Sequence, residues 1–305
     1  MRIAVFPGQG SQSPGFLSPW LALDGAADRL ARYSEWSGVD LVAAGTEWDA
    51  DRIRDTQVAQ PLIVAASLLS WNALSARDAL DGVAGHSVGE FAAAAAAGIL
   101  SEEDALRLVG IRGRAMAEAA AAEQTGMSAV IGGDEATVVA RLEELGLTPA
   151  NYNGGGQLVA AGSLAALAEL TAAPPAATRV IPLQVAGAFH TRYMTPAVET
   201  LRTAAAAVTA SDPRVTVWSN RDGAAVDSGT TFVGLLIDQV ASPVRWDLCM
   251  ASFASAGVSG IVELSPAGTL TGLAKRALRG VPAVAVKTPD DLDAAAALLS
   301  GPTDA

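Results

Sequence analysis

Apolar and polar positions along the chain fall into two rhythms. Short runs rich in aliphatic and β-branched residues at 3–6, 82–84, 215–218, 260–263 and 283–286 lack strict period-two polarity, as strands covered on both faces of a parallel sheet should. Between them, Ala- and Leu-rich stretches at about 60–75, 88–97, 102–121, 196–208, 232–240 and 270–278 read as helices. Strands alternating with helices predict an α/β fold. Pro289-Asp290-Asp291-Leu292 has the form of a capped helix start, and the tail past Gly301 is expected to fray.

The stretch from 125 to 185 has a different rhythm. A strand at 127–131, a helix at 134–145, strands at 150–153 and 158–161, a helix at 164–170 and a strand at 179–184 give the order βαββαβ. That order is the split βαβ, or ferredoxin-like, pattern. The economical reading is a small domain, 125–186, inserted into a larger α/β domain formed by 1–124 and 187–305. No solenoid repeat or heptad run interrupts this picture.

Composition narrows the partners. The 305 residues carry 32 acidic and 20 basic side chains, a formal charge of −12. Such a charge disfavours nucleic acid and anionic membrane surfaces, which need clustered Lys and Arg. An acidic partner would need a local basic patch. A single cysteine, Cys249, excludes an intrachain disulfide and fits a reducing cytoplasm. Two histidines and one cysteine leave little material for a zinc site. The apolar run at 92–97 is closed off by Glu90 and Gly98, far short of a membrane span, and the amino terminus turns at Pro7-Gly8, unlike a secretory signal. A cytoplasmic protein is expected.

Gly85-His86-Ser87-Val88-Gly89 follows a predicted strand and precedes a predicted helix, the setting of a G-x-S-x-G nucleophile elbow. There the serine hydroxyl is exposed on a tight turn, and side chains at the glycines would clash with a neighbouring strand or with an approaching substrate. A glycine-rich turn whose serine caps the next helix is the plainer alternative. A serine nucleophile needs a base. His86 is adjacent and is expected to pack or orient the elbow; His190, where the inserted segment returns to the larger domain, is the better candidate. The turn Pro7-Gly8-Gln9-Gly10-Ser11-Gln12 follows the first strand, but the third glycine of a dinucleotide cradle would fall at Ser13. Its amides instead suit the second half of an oxyanion hole whose first half is the N–H of Val88. Arg112 lies on a predicted helix beside Gly113, which is expected to leave room for a carboxylate to approach the guanidinium.

Gly8-Gln9-Gly10-Ser11-Gln12, Gln60-Pro61, Gly85 to Glu90, Arg112-Gly113, Asn151-Tyr152-Asn153 with Gln157, Gly187 to His190 and Ser242 to Trp246 occur in an order that resembles the malonyl-CoA:acyl carrier protein transacylases of bacterial fatty acid synthesis, most of all actinobacterial ones. The resemblance spans about residues 3–290. It implies an α/β-hydrolase-like large domain with an inserted ferredoxin-like small domain. It also implies that Ser87 is the acylated nucleophile, His190 the general base and the amides of Gln9 and Val88 the oxyanion hole. Arg112 would hold the malonyl carboxylate, with Gln60, Asn153 and Phe189 in the substrate site, and the Gln239 carbonyl would orient the histidine. Phe189 would favour malonyl over methylmalonyl by filling the space of an α-methyl group. Two departures are visible: Ser265-Pro266-Ala267 replaces the family's Gly-Pro-Gly, and Gly154-Gly155-Gly156 replaces a proline usual after Asn153. The implied substrate is malonyl-CoA and the implied partner an acyl carrier protein, with no metal or redox cofactor and a monomeric enzyme. Lys275, Arg276 and Arg279, on one predicted helix, are the candidate carrier-docking patch; a solvated helix end compensating its dipole is the alternative. Three competing functions are a transferase serving a polyketide synthase, a serine esterase or thioesterase, and a binding module. The esterase reading suffers because 115 residues follow His190, whereas such enzymes place the histidine near the carboxyl end.

Overall fold

Strand β1 (Arg2–Phe6) is covered on both faces, because Ala4 and Phe6 join one apolar core while Ile3 and Val5 join another. In the computed structural model, which describes residues 1–301, β1 is the centre of a parallel sheet. β2 (Gly82–Gly85) lies on one side of it and β9 (Gly260–Glu263) on the other, with β7 (Thr216–Trp218) and β10 (Ala283–Ala285) at the edges, in the order β10-β9-β1-β2-β7. The five expected strands therefore form one sheet. β10 corrects the expectation of burial: as an edge strand it is partly exposed.

Helices Thr56–Ala73 and Glu102–Ala122 pack against each other over the Phe6 face. The first begins earlier than the expected position 60, since the Asp55 side chain accepts the Gln57 N–H as a cap, and Pro61 falls in the second turn. Helices Ala26–Ser37, Leu41–Thr46 and Ala50–Arg54 are not announced by the apolar periodicity. The last two are single short turns whose starts are set by caps, Asp40 on Ala43 N–H and Asp49 on Arg52 N–H.

The chain from β3 (Thr125–Gly132) runs through helix Glu135–Glu144, β4 (Thr148–Gly154), β5 (Gln157–Ser163) and helix Leu164–Ala172 to β6 (Thr178–Pro182), the βαββαβ order expected. The sheet order is β6-β3-β5-β4, extended by β8 (Val244–Arg245), a strand outside that segment. β8 pairs with β4 in parallel, Asn151 opposite Val244, and covers an edge that would otherwise present unpaired backbone groups. No described helix is long and apolar enough to cross a membrane. The expectation for the tail, and the last four positions of the 187–305 segment, lie outside the described residues.

Candidate active site

β2 ends at Gly85, and the chain turns into helix Gly89–Ala96 through Ser87 at φ +51°, a left-handed conformation rare for a serine. The turn is tight enough that both glycines are obligatory. A Cβ at Gly85 would overlap the Glu90 amide, and one at Gly89 would overlap the Phe6 carbonyl of β1. The neighbouring-strand clash expected from sequence thus operates at Gly89, whereas at Gly85 the obstacle is the start of the elbow's own helix. The Ser87 N–H donates to Asn220 Oδ1 at 2.7 Å, and Asn220 Nδ2 donates to the Gly85 carbonyl at 2.7 Å. Asn220 comes just after β7, whose Trp218 is registered with Ala84 of β2. Only that pairing reveals it as a support for the serine, which is why the sequence did not single it out.

His190 also sits at positive φ, +61°, and its Nε2 lies 2.7 Å from Ser87 Oγ. Its Nδ1 is 2.8 Å from the Gln239 carbonyl. A carbonyl only accepts, so the proton is assigned to Nδ1, leaving Nε2 free to accept from the serine. Burial, reinforced by the charge of Arg112, pushes the His190 pKa down to about 3, so the ring is neutral. His86 turns away from the serine: Nε2 is 2.9 Å from Asn153 Oδ1 and the ring meets Trp246 edge-on. It packs, as expected, and it engages Asn153.

Arg112 is buried. Nη1 donates to Gln60 Oε1 at 2.6 Å, and Nη2 donates to Gln239 Oε1 at 3.0 Å and lies 3.5 Å from Ser87 Oγ. Nε has no acceptor among the described residues. Burial lowers its pKa to about 10, with the Glu90 charge opposing the fall. The room beside Gly113 is not for substrate. A Cβ there would come within 3.0 Å of the Thr56 carbonyl, so the glycine serves close packing of two helices.

Ser87, His190, Arg112, Gln60 and His86 open on one cleft of about 260 Å³, lined also by Gln9, Val88, Asn153 and Phe189. The Ser87 and Gly89 amides are engaged by Asn220 and His86, whereas those of Val88 and Gln9 donate to no protein acceptor among the described residues. Gln60, Arg112, Ser87, His190 and Gln239 are thus brought into one hydrogen-bonded array. A larger groove of about 490 Å³, shaped by Leu164, Leu167 and Leu183, adjoins the cleft but carries no titratable side chain. Helix Thr269–Ala277 lines the cleft with Thr269, Leu270 and Leu273 and bears Lys275 and Arg276, exposed, near its far end. Arg279 is exposed too but lies past the helix end, a correction to its expected place. Arg276 Nη2 also donates to Gln157 Oε1 at 3.0 Å. Besides Asn220, nothing in the sequence signalled the burial of Glu90, which stands there only as part of a motif, or the side-chain contacts of Gln239.

The acyl transferase domain family matches residues 3–294. The malonyl CoA-acyl carrier protein transacylase of Mycobacterium tuberculosis is 54% identical over 297 residues, covering 96% of this chain and 98% of the relative. The crystal structure of MCAT from Mycobacterium tuberculosis is similar with a TM-score of 0.94 at 53% identity, covering 97% of this chain and 100% of that one. A malonyl-transacylase solved in complex with its type II PKS acyl-carrier protein is similar with a TM-score of 0.91 at 31% identity, over 96% and 98% of the two chains. With a Ser–His pair and a buried arginine in one cleft, and matches over nearly its whole length, the chain belongs to the acyl transferase domain family and, within it, to the malonyl CoA-acyl carrier protein transacylases.

Proposed function

We propose that this protein transfers the malonyl group from malonyl-CoA to the phosphopantetheine thiol of an acyl carrier protein, through a malonyl ester of Ser87. The observation that carries the reading is the 2.7 Å Ser87–His190 pair beside a buried guanidinium whose direct contacts are neutral amides and a hydroxyl. Ser87 Oγ attacks the thioester carbonyl while Nε2 of His190 takes its proton. The amides of Gln9 and Val88 hold the oxyanion, and collapse breaks the C–S bond as the imidazolium returns the proton to the departing CoA thiolate. The carrier thiol then gives its proton to His190 and attacks the ester, and Ser87 recovers its hydroxyl. The Gln239 carbonyl keeps the imidazole in the needed tautomer, and Arg112 with Gln60 holds the malonyl carboxylate. Asn153 braces His86 at the cleft wall, and Phe189 excludes an α-methyl group.

This chemistry calls for no metal or redox cofactor. In this reading residues 1–124 and 187–305 are an α/β-hydrolase-like catalytic domain, and 125–186 an inserted ferredoxin-like domain, supported by the strand order β6-β3-β5-β4. The enzyme acts as a cytoplasmic monomer, with Lys275, Arg276 and Arg279 meeting the carrier. Esterases of the α/β-hydrolase kind place a carboxylate behind the histidine, whereas Nδ1 of His190 faces a carbonyl. Service to a polyketide carrier rather than a fatty acid carrier is the second reading, favoured by the similarity to the transacylase complexed with a type II PKS carrier. The test is incubation with labelled malonyl-CoA followed by carrier protein. Label is expected on Ser87 and then on the carrier thiol; absence of label, or release only to water, overturns the proposal.

A further inference from the structure

Behind Ser87 lies a buried carboxylate that the transfer chemistry leaves unused. Glu90, in the first turn of helix Gly89–Ala96, is 1% exposed. Its Oε1 accepts the Asn220 N–H at 2.6 Å, and its Oε2 accepts a hydrogen bond from Gln239 Nε2. Two N–H groups converge on it, the pattern that suits an ionised carboxylate. Burial pushes its pKa up to about 8, while the Asn220 N–H, the charge of Arg112 and the Gln239 amide restrain the rise.

Glu90 reaches Arg112 only through Gln239, whose Oε1 accepts from Arg112 Nη2 at 3.0 Å. The two ends of a primary amide have nearly the same shape, so its orientation is decided by its neighbours. Here the carboxylate, which only accepts, takes the NH₂ end together with the Ser87 carbonyl at 3.2 Å, and the guanidinium, which only donates, is met by the oxygen. The counter-charge therefore stands one amide away from the cation. It favours the charged form of the buried guanidinium without occupying its donors. A carboxylate in direct contact would neutralise Arg112 and compete with a substrate carboxylate for the same N–H groups.

We propose that Glu90 is a positioning residue that sets specificity for a carboxylate-bearing acyl group: by orienting Gln239 it holds Arg112 beside Ser87 as an uncancelled cation. The inference rests on the malonyl-transfer reading.

The test compares kcat/KM for malonyl-CoA and acetyl-CoA, measured by Ser87 labelling at a pH well above 8, so that Glu90 is predominantly ionised. The Glu90→Gln variant keeps the shape but can accept at only one end. If its NH₂ faces Gln239, that amide must turn and present donors to Arg112. The expected result is a malonyl-to-acetyl preference reduced by at least about tenfold, with acetyl transfer affected much less. A parallel loss with both substrates would mean that Glu90 only supports the fold and would overturn the inference, leaving the malonyl reading intact. The double variant Glu90→Gln/Gln239→Glu covers a fold defect in the single one. It restores a donor–acceptor pair between the two side chains but places the negative charge directly on Arg112, and it removes the donor that Gln239 Nε2 gives the Ser87 carbonyl at 3.2 Å. The ratio of malonyl to acetyl kcat/KM, read independently of the absolute rates, should stay low; a restored preference overturns the argument for a remote counter-charge. No malonyl preference in the unaltered protein would overturn the functional reading and this inference together.

Discussion

Arg112 Nη1 donates to Gln60 Oε1 at 2.6 Å, so the buried guanidinium is held by a neutral amide where a carboxylate would have cancelled its charge. Replacing Arg112 with Ala removes the partner of the malonyl carboxylate but none of the groups that act on the thioester. Steady-state kinetics should show kcat/KM for malonyl-CoA falling on the order of 100-fold, the scale of a lost charge-assisted hydrogen bond, with acetyl-CoA little changed. Equal losses would make the arginine structural.

His190 is neutral because burial and Arg112 lower its pKa from the usual 6.5 to about 3. The base is therefore competent well below neutrality, and the acid limb of Ser87 acylation should lie far under pH 6.5 in a stopped-flow profile. The same shift has a stability sign. The unfolded chain protonates this histidine near its ordinary pKa while the folded chain resists until about 3, so protons favour unfolding as pH falls through that window. Relative to the His190→Asn variant, the wild-type unfolding free energy should lose about 1.4 kcal/mol per pH unit between those limits, read from urea midpoints.

Gly89 packs its α-carbon against the Phe6 and Pro7 carbonyls at the end of β1. Both are backbone atoms, at the end of the central strand and just past it, and cannot step aside. Gly89→Ala should destabilise the fold by about 3 kcal/mol or more and abolish Ser87 labelling. A variant with wild-type urea midpoint would show that the elbow is looser than the structure has it.

Asn220 is fully buried, accepts the Ser87 N–H and donates to the Gly85 carbonyl. Asn220→Ala leaves both backbone groups without partners, a cost of about 2–3 kcal/mol in the urea midpoint. Reactivity of Ser87 toward a neutral phosphonate probe should fall with it, since the strained φ of the serine loses its brace. Unchanged probe kinetics would assign Asn220 to the fold alone.

Lys275, Arg276 and Arg279 lie at or beyond the far end of a helix that lines the cleft with Thr269, Leu270 and Leu273. Changing all three to Ser should raise the KM for carrier protein several-fold, while Ser87 labelling by malonyl-CoA keeps its rate. A loss at the labelling step would place the cluster on the CoA side instead.

The apolar periodicity by itself determined the five parallel strands, most of the long helices and the βαββαβ segment, because burial on defined faces leaves a local imprint on sequence. It also marked Ser87, through the glycines that a strand-to-helix turn demands, and His190, through the scarcity of bases. What it could not hold was pairing between distant segments. The contact of β8 with β4, the place of Asn220 beneath the serine, and the use of Gly113 for helix packing depend on which elements become neighbours. Glu90 illustrates the limit most clearly. In sequence it is an acidic residue at the start of a helix, where a solvated partner of the dipole is the ordinary expectation. Only the folded chain brings Asn220 and Gln239 onto its two oxygens, 130 and 149 residues away, and so converts a surface-type charge into the buried hub of the site.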